Sequence, residues 1–460
     1  MKHIFISLFF LFGILCSSCA QQSFPIQLTV LGFPNQEIYI AKIYGDAYRI
    51  TDTLRSDSHG KFECAFDTSY TIGMYTFLFP QFQKTEIDFI FNNEAVSFKT
   101  QIGNIHSNLQ IISSTENTLY YSFQNYYSVF SNDITLLEQT FDSYSDSGFK
   151  EKIRAEYAEK IKQEQAFIAT LLKNHEHTFA ARIITSSRKA YSPQLLNTQE
   201  RYEYTKQHFL SPIDFADTLL CNSSIFTDAS IKYLSLYAQE RSRSNPYAAL
   251  KQAVDNVVTS AKINETTYEF IVNYLLDGFE TMGDTEMLTY ISTLYISESQ
   301  CEHSESQTTL ERKALQNIRY TIGSNVPTYK TQTISGTTID SEKSNNAIQI
   351  LVFWATWCGH CTELIPKIAS LYTQNPNATY SIVFVSLDTE QSDFSSFLSQ
   401  NPNLSQCNNV FDSNGWESPL AKEFYVYASP TIFIIENGTI VAKPIDYEKY
   451  TTALLKLGVL

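Results

Sequence analysis

A run of apolar residues that leads directly into a Cys-x-x-Cys sequence is the feature that most restricts the fold of this chain. Residues 348–353 form the apolar run, and Trp357-Cys358-Gly359-His360-Cys361 follow it closely. A thiolate in the first turn of a helix is stabilised by unpaired N–H groups and by the positive end of the helix dipole. The order of strand, cysteine pair and helix therefore predicts a site for thiol–disulfide exchange.

The two cysteines have different predicted roles. Cys358 is the predicted nucleophile, and Cys361, about one helical turn further on, is the predicted resolving and more buried thiol. A zinc site would need two more ligands at short spacing, and none follows nearby. A structural disulfide is the other alternative, but the Trp-Cys-Gly-x-Cys context after a strand favours a redox pair. We expect no metal and no cofactor besides the Cys358–Cys361 disulfide itself.

A second motif strengthens this interpretation. Pro430 directly precedes an apolar stretch at residues 431–435. From about residue 326 to its end, the chain resembles the thioredoxin module of the extracytoplasmic TlpA/ResA-like group. The resemblance implies a thioredoxin fold in which Pro430 is cis and faces the two sulfurs, with Trp357 in the same site. It rests on residues 353–361, Pro366 and Ser429-Pro430-Thr431, and on a lead-in at 323–327 and 334–336.

This chain departs from the family pattern at both positions where relatives keep a carboxylate. Those positions hold Val352 and Leu364. Glu363 is the nearest acid, but a shift of one residue rotates a helical side chain by roughly 100°. Glu363 is therefore either a base for Cys361 or a solvated acid. His360, between the cysteines, is expected to stabilise the thiolate and make the pair more oxidising than a Gly-Pro version.

The N-terminus predicts export. Lys2 and His3 precede an apolar segment at residues 4–15, which is typical of a secretory signal and too short to span a bilayer. Ser17-Ser18-Cys19 resembles a lipoprotein box, which would make Cys19 the lipidated residue; Ser18-Cys19-Ala20 also fits ordinary signal peptidase. We expect a leader over residues 1–19 and a protein of the periplasm or cell envelope, held at the membrane by lipid.

Two regions of different periodicity separate the leader from the cysteine pair. Residues 20–105 alternate apolar and polar positions, as at Ile26, Leu28 and Val30, which predicts a small β sandwich or barrel. The span from Thr51-Asp52-Thr53-Leu54 to Gly60-Lys61-Phe62-Glu63 resembles the β domain that precedes thioredoxin modules in lipoproteins of Bacteroidetes-type bacteria. Residues 106–320 show helical spacing and predict six to eight helices. The expected fold class is thus multi-domain α+β, with an all-α middle and an α/β thioredoxin domain over 321–460.

The net charge limits the kinds of partner that the chain can bind. A net charge of −15 argues against binding of nucleic acid and against adhesion to anionic lipid.

The remaining cysteines and the histidines show no further site. We expect small buried hydrophobes at Cys64, Cys221, Cys301 and Cys407, although a Cys221–Cys301 bridge is an alternative. The histidines show no metal-like spacing, since His175 and His177 would point apart on a helix and fit a solvated turn better.

These features predict an extracytoplasmic thiol-disulfide oxidoreductase that acts on protein thiols and disulfides. The enzyme is expected to be of the reductase or isomerase type, and the sequence leaves the net direction of exchange open. A reductase would be recharged by a membrane electron donor and an oxidase by an oxidant, whereas an isomerase needs neither. One alternative is an envelope binding protein whose redox domain is accessory. The other is a thioredoxin-fold peroxidase, but Thr356-Trp357-Cys358 lacks the Thr-x-x-Cys spacing of such a site.

Overall fold

The computed structural model describes residues 22–82, 85–238, 245–298, 308–343, 346–375 and 378–460. The chain divides into two compact units, the first made of Met1–Gln239 and Thr259–Thr267, the second of Glu240–Val258 and Tyr268–Leu460. The predicted leader, including Cys19, lies outside the described residues, as do Cys301 and His303. In the described part of the chain, no helix is both long and apolar enough to cross a membrane.

The first unit begins with a β sandwich. Two four-stranded sheets have the orders β4-β1-β7-β8 and β3-β2-β5-β6. Alternation in β1 buries Ile26, Leu28 and Val30, and side chains from both sheets meet in one aromatic-rich core. The strands are β1 Ser23–Leu31, β2 Glu37–Tyr44, β3 Ala47–Arg55, β4 Lys61–Asp67, β5 Gly73–Leu78, β6 Glu86–Phe91, β7 Val96–Gln101 and β8 Gln110–Ser113.

Nine α-helices follow in the described residues, where the sequence predicted six to eight. The difference comes from short helices such as α3 and α9. Their ends are polar or lie close to a neighbouring helix, so apolar periodicity alone does not separate them from that neighbour. Long helices show the expected apolar face, as with Val254, Val257 and Ala261 in α6. The helices are α1 Thr115–Ser143, α2 Ser147–Leu172, α3 Phe179–Ser187, α4 Thr198–His208, α5 Ile225–Ala238, α6 Ala248–Ala261, α7 Glu265–Met282, α8 Thr285–Glu298 and α9 Thr309–Arg319.

The second unit contains a five-stranded sheet of order β13-β12-β11-β14-β15. Strand β11 lies at its centre, parallel to β12 and antiparallel to β14. The elements are β9 Lys330–Gln332, β10 Thr338–Asp340, β11 Ile348–Trp354, α10 Gly359–Thr373, β12 Tyr380–Ser386, α11 Gln391–Gln400, α12 Pro402–Ser405, β13 Asn408–Val410, α13 Pro419–Glu423, β14 Thr431–Glu436, β15 Thr439–Ala442 and α14 Tyr447–Lys456.

Strand β11 is buried on both faces, which explains why its sequence is apolar except at the partly buried Gln349. Its even-numbered residues, such as Val352, pack with α10, α11 and α14. Its odd-numbered residues, such as Phe353, pack with α13 and with Tyr320. The predicted fold class of a β region, a helical middle and a C-terminal α/β domain is confirmed.

Helix α9 packs through a polar face against the segment between α13 and β14 and against α7. Arg312, Lys313, Gln316 and Asn317 are all buried. The Gln316 amide donates to the backbone oxygens of Phe424 and Tyr425, and Tyr320 donates to that of Glu423. The structure thus places α9 with the domain that was predicted to begin at residue 321, and strand β8 likewise lies beyond the predicted border at residue 105.

Candidate active site

The site is built on Cys358, which caps the N-terminus of α10. Strand β11 ends at Trp354, and the Cys358 N–H then donates to the Ala355 oxygen in a tight turn. The Cys361 N–H donates to the Cys358 sulfur at 3.2 Å. A side chain that caps a helix in this way receives one of the N–H groups that have no partner inside the helix. The local sequence therefore places the first sulfur where a negative charge is most stabilised.

The two sulfurs have opposite electrostatic environments. Burial raises the pKa of Cys358, but hydrogen bonds from the Cys361 and Ser429 side chains and from the Cys361 and His360 N–H groups outweigh it, so the net pKa lies below the ordinary value. Burial, together with the neighbouring Cys358 sulfur, raises the pKa of Cys361 to about 12. Both thiols are free, and Cys361 is the buried one. Near neutral pH, Cys358 is therefore the group that ionises more easily.

The loop that contains Pro430 lies against the nucleophile. Thr431 opens β14 and pairs with Phe353 near the end of β11. Because the two strands are antiparallel, the residues before β14 must lie beside those that follow β11. The Ser429–Pro430 peptide bond is cis, and the Ser429 carbonyl oxygen accepts from the Cys358 thiol at 3.4 Å. The sheet register thus brings together two motifs that are 71 residues apart.

A buried carboxylate that the sequence analysis missed holds the loop before Cys358. Strand β12 is parallel to β11, with Ser386 beside Trp354, so the residues after both strands meet at one edge of the sheet. Asp388 accepts from the Thr356 N–H at 2.9 Å and from the Thr356 hydroxyl at 2.7 Å. It also accepts from the Ser386 hydroxyl at 2.7 Å. An acid two residues after a buried strand was the available signal.

The positions around Cys361 are apolar. Val352 and Leu364 are buried in the same cluster as the Cys361 sulfur. Glu363 is exposed on the other side of the helix, which favours the solvated acid over the base. The His360 side chain is also exposed, so its backbone N–H is the part of this residue that the structure places on the sulfur.

Two tryptophans lie on the rim of the site. The Trp357 side chain is 59% exposed. Trp416, which the sequence analysis did not identify, has its ring centroid 6.0 Å from that of Trp357. Trp416 and Cys358 pack against the same apolar cluster, which includes Leu420 and Phe424.

The other candidate residues lie apart from this site. Cys221 is buried, whereas Cys64 and Cys407 are half-buried, and all three are free thiols. Burial raises the pKa of Cys407 to about 12. His175 and His177 lie in a turn between α2 and α3. Among the residues with described positions, no three His, Cys, Asp or Glu side chains form a group that could hold a metal ion.

Comparison with known proteins matches this part of the chain. The family model described as "Thioredoxin-like" matches residues 346–441. A thioredoxin-like protein of Haemophilus influenzae is 30% identical over 109 residues, which cover 23% of this chain and 60% of that protein. The sporulation thiol-disulfide oxidoreductase A of Bacillus subtilis is 32% identical over 95 residues, which cover 20% of this chain and 54% of that protein.

The matched region thus spans little more than half the length of these two relatives. Among solved structures, a thioredoxin-like protein from Bacteroides caccae is 17% identical, with a TM-score of 0.38, and the match covers 58% of this chain and 95% of that one. The family match contains strand β11, the cysteine pair and the Pro430 loop. The C-terminal region of this chain is a thioredoxin-like domain.

Proposed function

We propose that this chain is a thiol-disulfide oxidoreductase that exchanges disulfides with protein clients through Cys358 and Cys361. The observation that carries the proposal is the placement of the two sulfurs: that of Cys358 caps the N-terminus of α10 and accepts from the Cys361 N–H, whereas Cys361 is buried. Exchange needs one thiol that ionises readily and one that stays protonated until the second step, and the lowered pKa of Cys358 and the raised pKa of Cys361 agree with that division. The family match and the sulfur-facing loop before β14 support it.

In the reducing direction, the Cys358 thiolate attacks one sulfur of a client disulfide. A bond forms between Cys358 and the client, and the other client sulfur leaves as a thiolate that takes up a proton. Cys361 then loses its proton to water and attacks the Cys358 sulfur, which releases the second client thiol. The client gains two electrons and two protons, and the enzyme is left with a Cys358–Cys361 disulfide.

Single cysteine variants test the assignment. Cys358→Ser should abolish reduction of insulin, whereas Cys361→Ser should accumulate mixed disulfides, because only the second thiol can release the client. Cys407→Ser is the matched control, since Cys407 is a free, half-buried thiol of the same domain and lies away from Cys358. Equal and mild losses in the Cys358 and Cys361 variants would contradict the proposed roles.

We also propose an extracytoplasmic location, with a lipid on Cys19 and a membrane electron donor or an oxidant as the recycling partner. The basis is the leader pattern of residues 1–19. Labelling with a radioactive fatty acid should mark the wild-type protein and not Cys19→Ala. An unlabelled wild-type protein that is still exported would instead indicate ordinary signal peptidase cleavage.

A further inference from the structure

An aromatic pair next to the nucleophile has no part in the exchange chemistry described above. Trp357 directly precedes Cys358 and is largely exposed. The Trp416 ring lies beside it, tilted by 45°. A large aromatic side chain that stays exposed beside a reactive sulfur is available to contact whatever approaches that sulfur.

Trp416 is held in place from outside its own turn. Its backbone oxygen accepts from Arg312 Nη1 at 2.7 Å. Arg312, a buried residue of α9, also forms an ion pair with Glu417. Lys422 Nζ lies 2.8 Å from the other Glu417 oxygen. Because the Arg312 guanidinium is buried and bonded to both Trp416 and Glu417, it fixes the orientation of the turn as well as its position.

The start of the same turn lies against the catalytic edge of the sheet. Gly415 has φ +54°, and a Cβ on it would lie 2.9 Å from the Leu387 oxygen at the end of β12. Any larger residue would therefore push the turn away from the sheet. The Leu387 N–H donates to the oxygen of Trp354, the last residue of β11. The turn is therefore fixed relative to the strand that leads into the nucleophile.

We propose that Trp416 is a specificity-determining residue that binds an apolar side chain next to the cysteine of an extended polypeptide client, and that Arg312 is its positioning residue. The inference rests on the proposed exchange function. Consecutive residues of an extended chain are about 3.3 Å apart, so a side chain one or two positions from the client cysteine can extend from Cys358 toward the Trp357–Trp416 pair. The two ring centroids lie 6.0 Å apart, and Trp416 packs against the same apolar cluster as Cys358. Arg312 and Lys422 both pair with Glu417, so this carboxylate leaves no uncompensated negative charge beside the Trp416 ring.

Two peptide disulfides test the proposal with the full chain. The peptides are identical except that phenylalanine or serine precedes the attacked cysteine. Wild-type protein should favour the phenylalanine peptide in kcat/KM, and Trp416→Ala should lower that preference about 10-fold, mainly through KM, as expected for loss of one aromatic contact together with its buried area. Trp416→Phe should keep most of the preference, and it also covers the case in which the alanine variant folds poorly.

Arg312 variants separate positioning from folding. Arg312→Gln should reduce the preference about three-fold with kcat unchanged, and Arg312→Lys should restore part of it, because a lysine keeps one donor and the charge. Arg319→Gln on the exposed side of the same helix is the matched control and should leave the preference intact.

Wild-type reduction of bis(2-hydroxyethyl) disulfide reports exchange without any peptide contact. Its absence would overturn the proposed function and the inference together. Its presence with equal kcat/KM for the two peptides, or with a preference that Trp416→Ala does not change, would overturn only the role of Trp416. A fall in kcat of Arg312→Gln for both peptides alike would make Arg312 a structural residue.

Discussion

Replacing Asp388 by asparagine should lower the free energy of unfolding of the C-terminal domain and also slow its exchange reaction. Asp388 is buried and accepts three hydrogen bonds, two from Thr356 and one from Ser386. An asparagine oxygen can still accept the two bonds from Thr356, but its NH₂ group cannot accept from Ser386. Hydrogen bonds to charged groups contribute about 1.5–3 kcal/mol each and neutral ones about 0.5–1.5. At mid-range values, two weakened bonds and one lost bond therefore cost about 5 kcal/mol, and relief of carboxylate desolvation, about 1–3 kcal/mol, reduces this to about 2–4.

Tryptophan fluorescence during urea unfolding measures the loss in the free energy of unfolding for the unit that contains Asp388. The protein has three tryptophans, Trp354, Trp357 and Trp416, all within the second unit. The fluorescence transition therefore follows that unit alone. Asp446→Asn is the matched control: it removes the same charge, and asparagine caps a helix as well as aspartate does, so α14 should keep its cap.

A second readout links the stability loss to the site. Thr356 lies two residues before Cys358, so loosening its N–H should slow insulin reduction by Asp388→Asn relative to Asp446→Asn. If Asp388→Asn shifts the free energy of unfolding by no more than the control, then the three hydrogen bonds do not hold the loop and the reasoning is wrong.

Three further substitutions probe single features of the site and of its domain. His360→Pro removes an N–H that donates to Cys358, so the pKa of the Cys358 thiol should rise and the reduction potential should become more negative by about 30 mV per 1.4 kcal/mol lost. His360→Ala keeps that N–H and should change the pKa and the potential less. If neither variant shifts the potential in a redox titration, His360 does not tune the Cys358 thiolate. Glu363→Gln should leave the decay of the mixed disulfide within about two-fold in stopped-flow measurements, as for an exposed acid, and a slowing of about 10²-fold would identify Glu363 as the base for Cys361. Burial lowers the pKa of Lys443 to about 8 from 10.5, so the folded state binds fewer protons than the unfolded state between these values. Wild-type stability should therefore rise relative to Lys443→Met by about 2–3 kcal/mol from pH 8 to 10.5. Equal differences between the urea curves of the two proteins across that range would contradict it.

The sequence was sufficient wherever the deciding interactions are local. The alternation of β1 and the apolar run at residues 350–354 of β11 each follow from the number of faces that the strand buries. The capping position of Cys358 follows from the order of strand, cysteine and helix. These patterns span fewer than ten residues each, so a single pass along the chain detects them.

The rest of the site depends on which strands are neighbours and on their register. Asp388 reaches Thr356 because β12 pairs with β11, and Trp416 reaches Trp357 because its turn packs on the end of β12. Neither pairing has a local signal. Helix α9 was missed as part of this domain for another reason: its buried face is polar, so apolar periodicity points away from it, although Thr308 and Glu311 form a capping box that marks its start.

The polar face of α9 decides where this domain could be cut from the rest of the chain. A truncated protein that starts at residue 321 would leave the carbonyl oxygens of Trp416, Phe424 and Glu423 without the donors that now reach them from Arg312, Gln316 and Tyr320. Apolar surface exposed by a cut can be covered by solubilising substitutions, but lost directional donors have no generic replacement. A redox module cut from this chain therefore has to include α9 from its cap residue Thr308. Chimeras that exchange only the matched region 346–441 would lack this helix and its hydrogen bonds to the Trp416 turn.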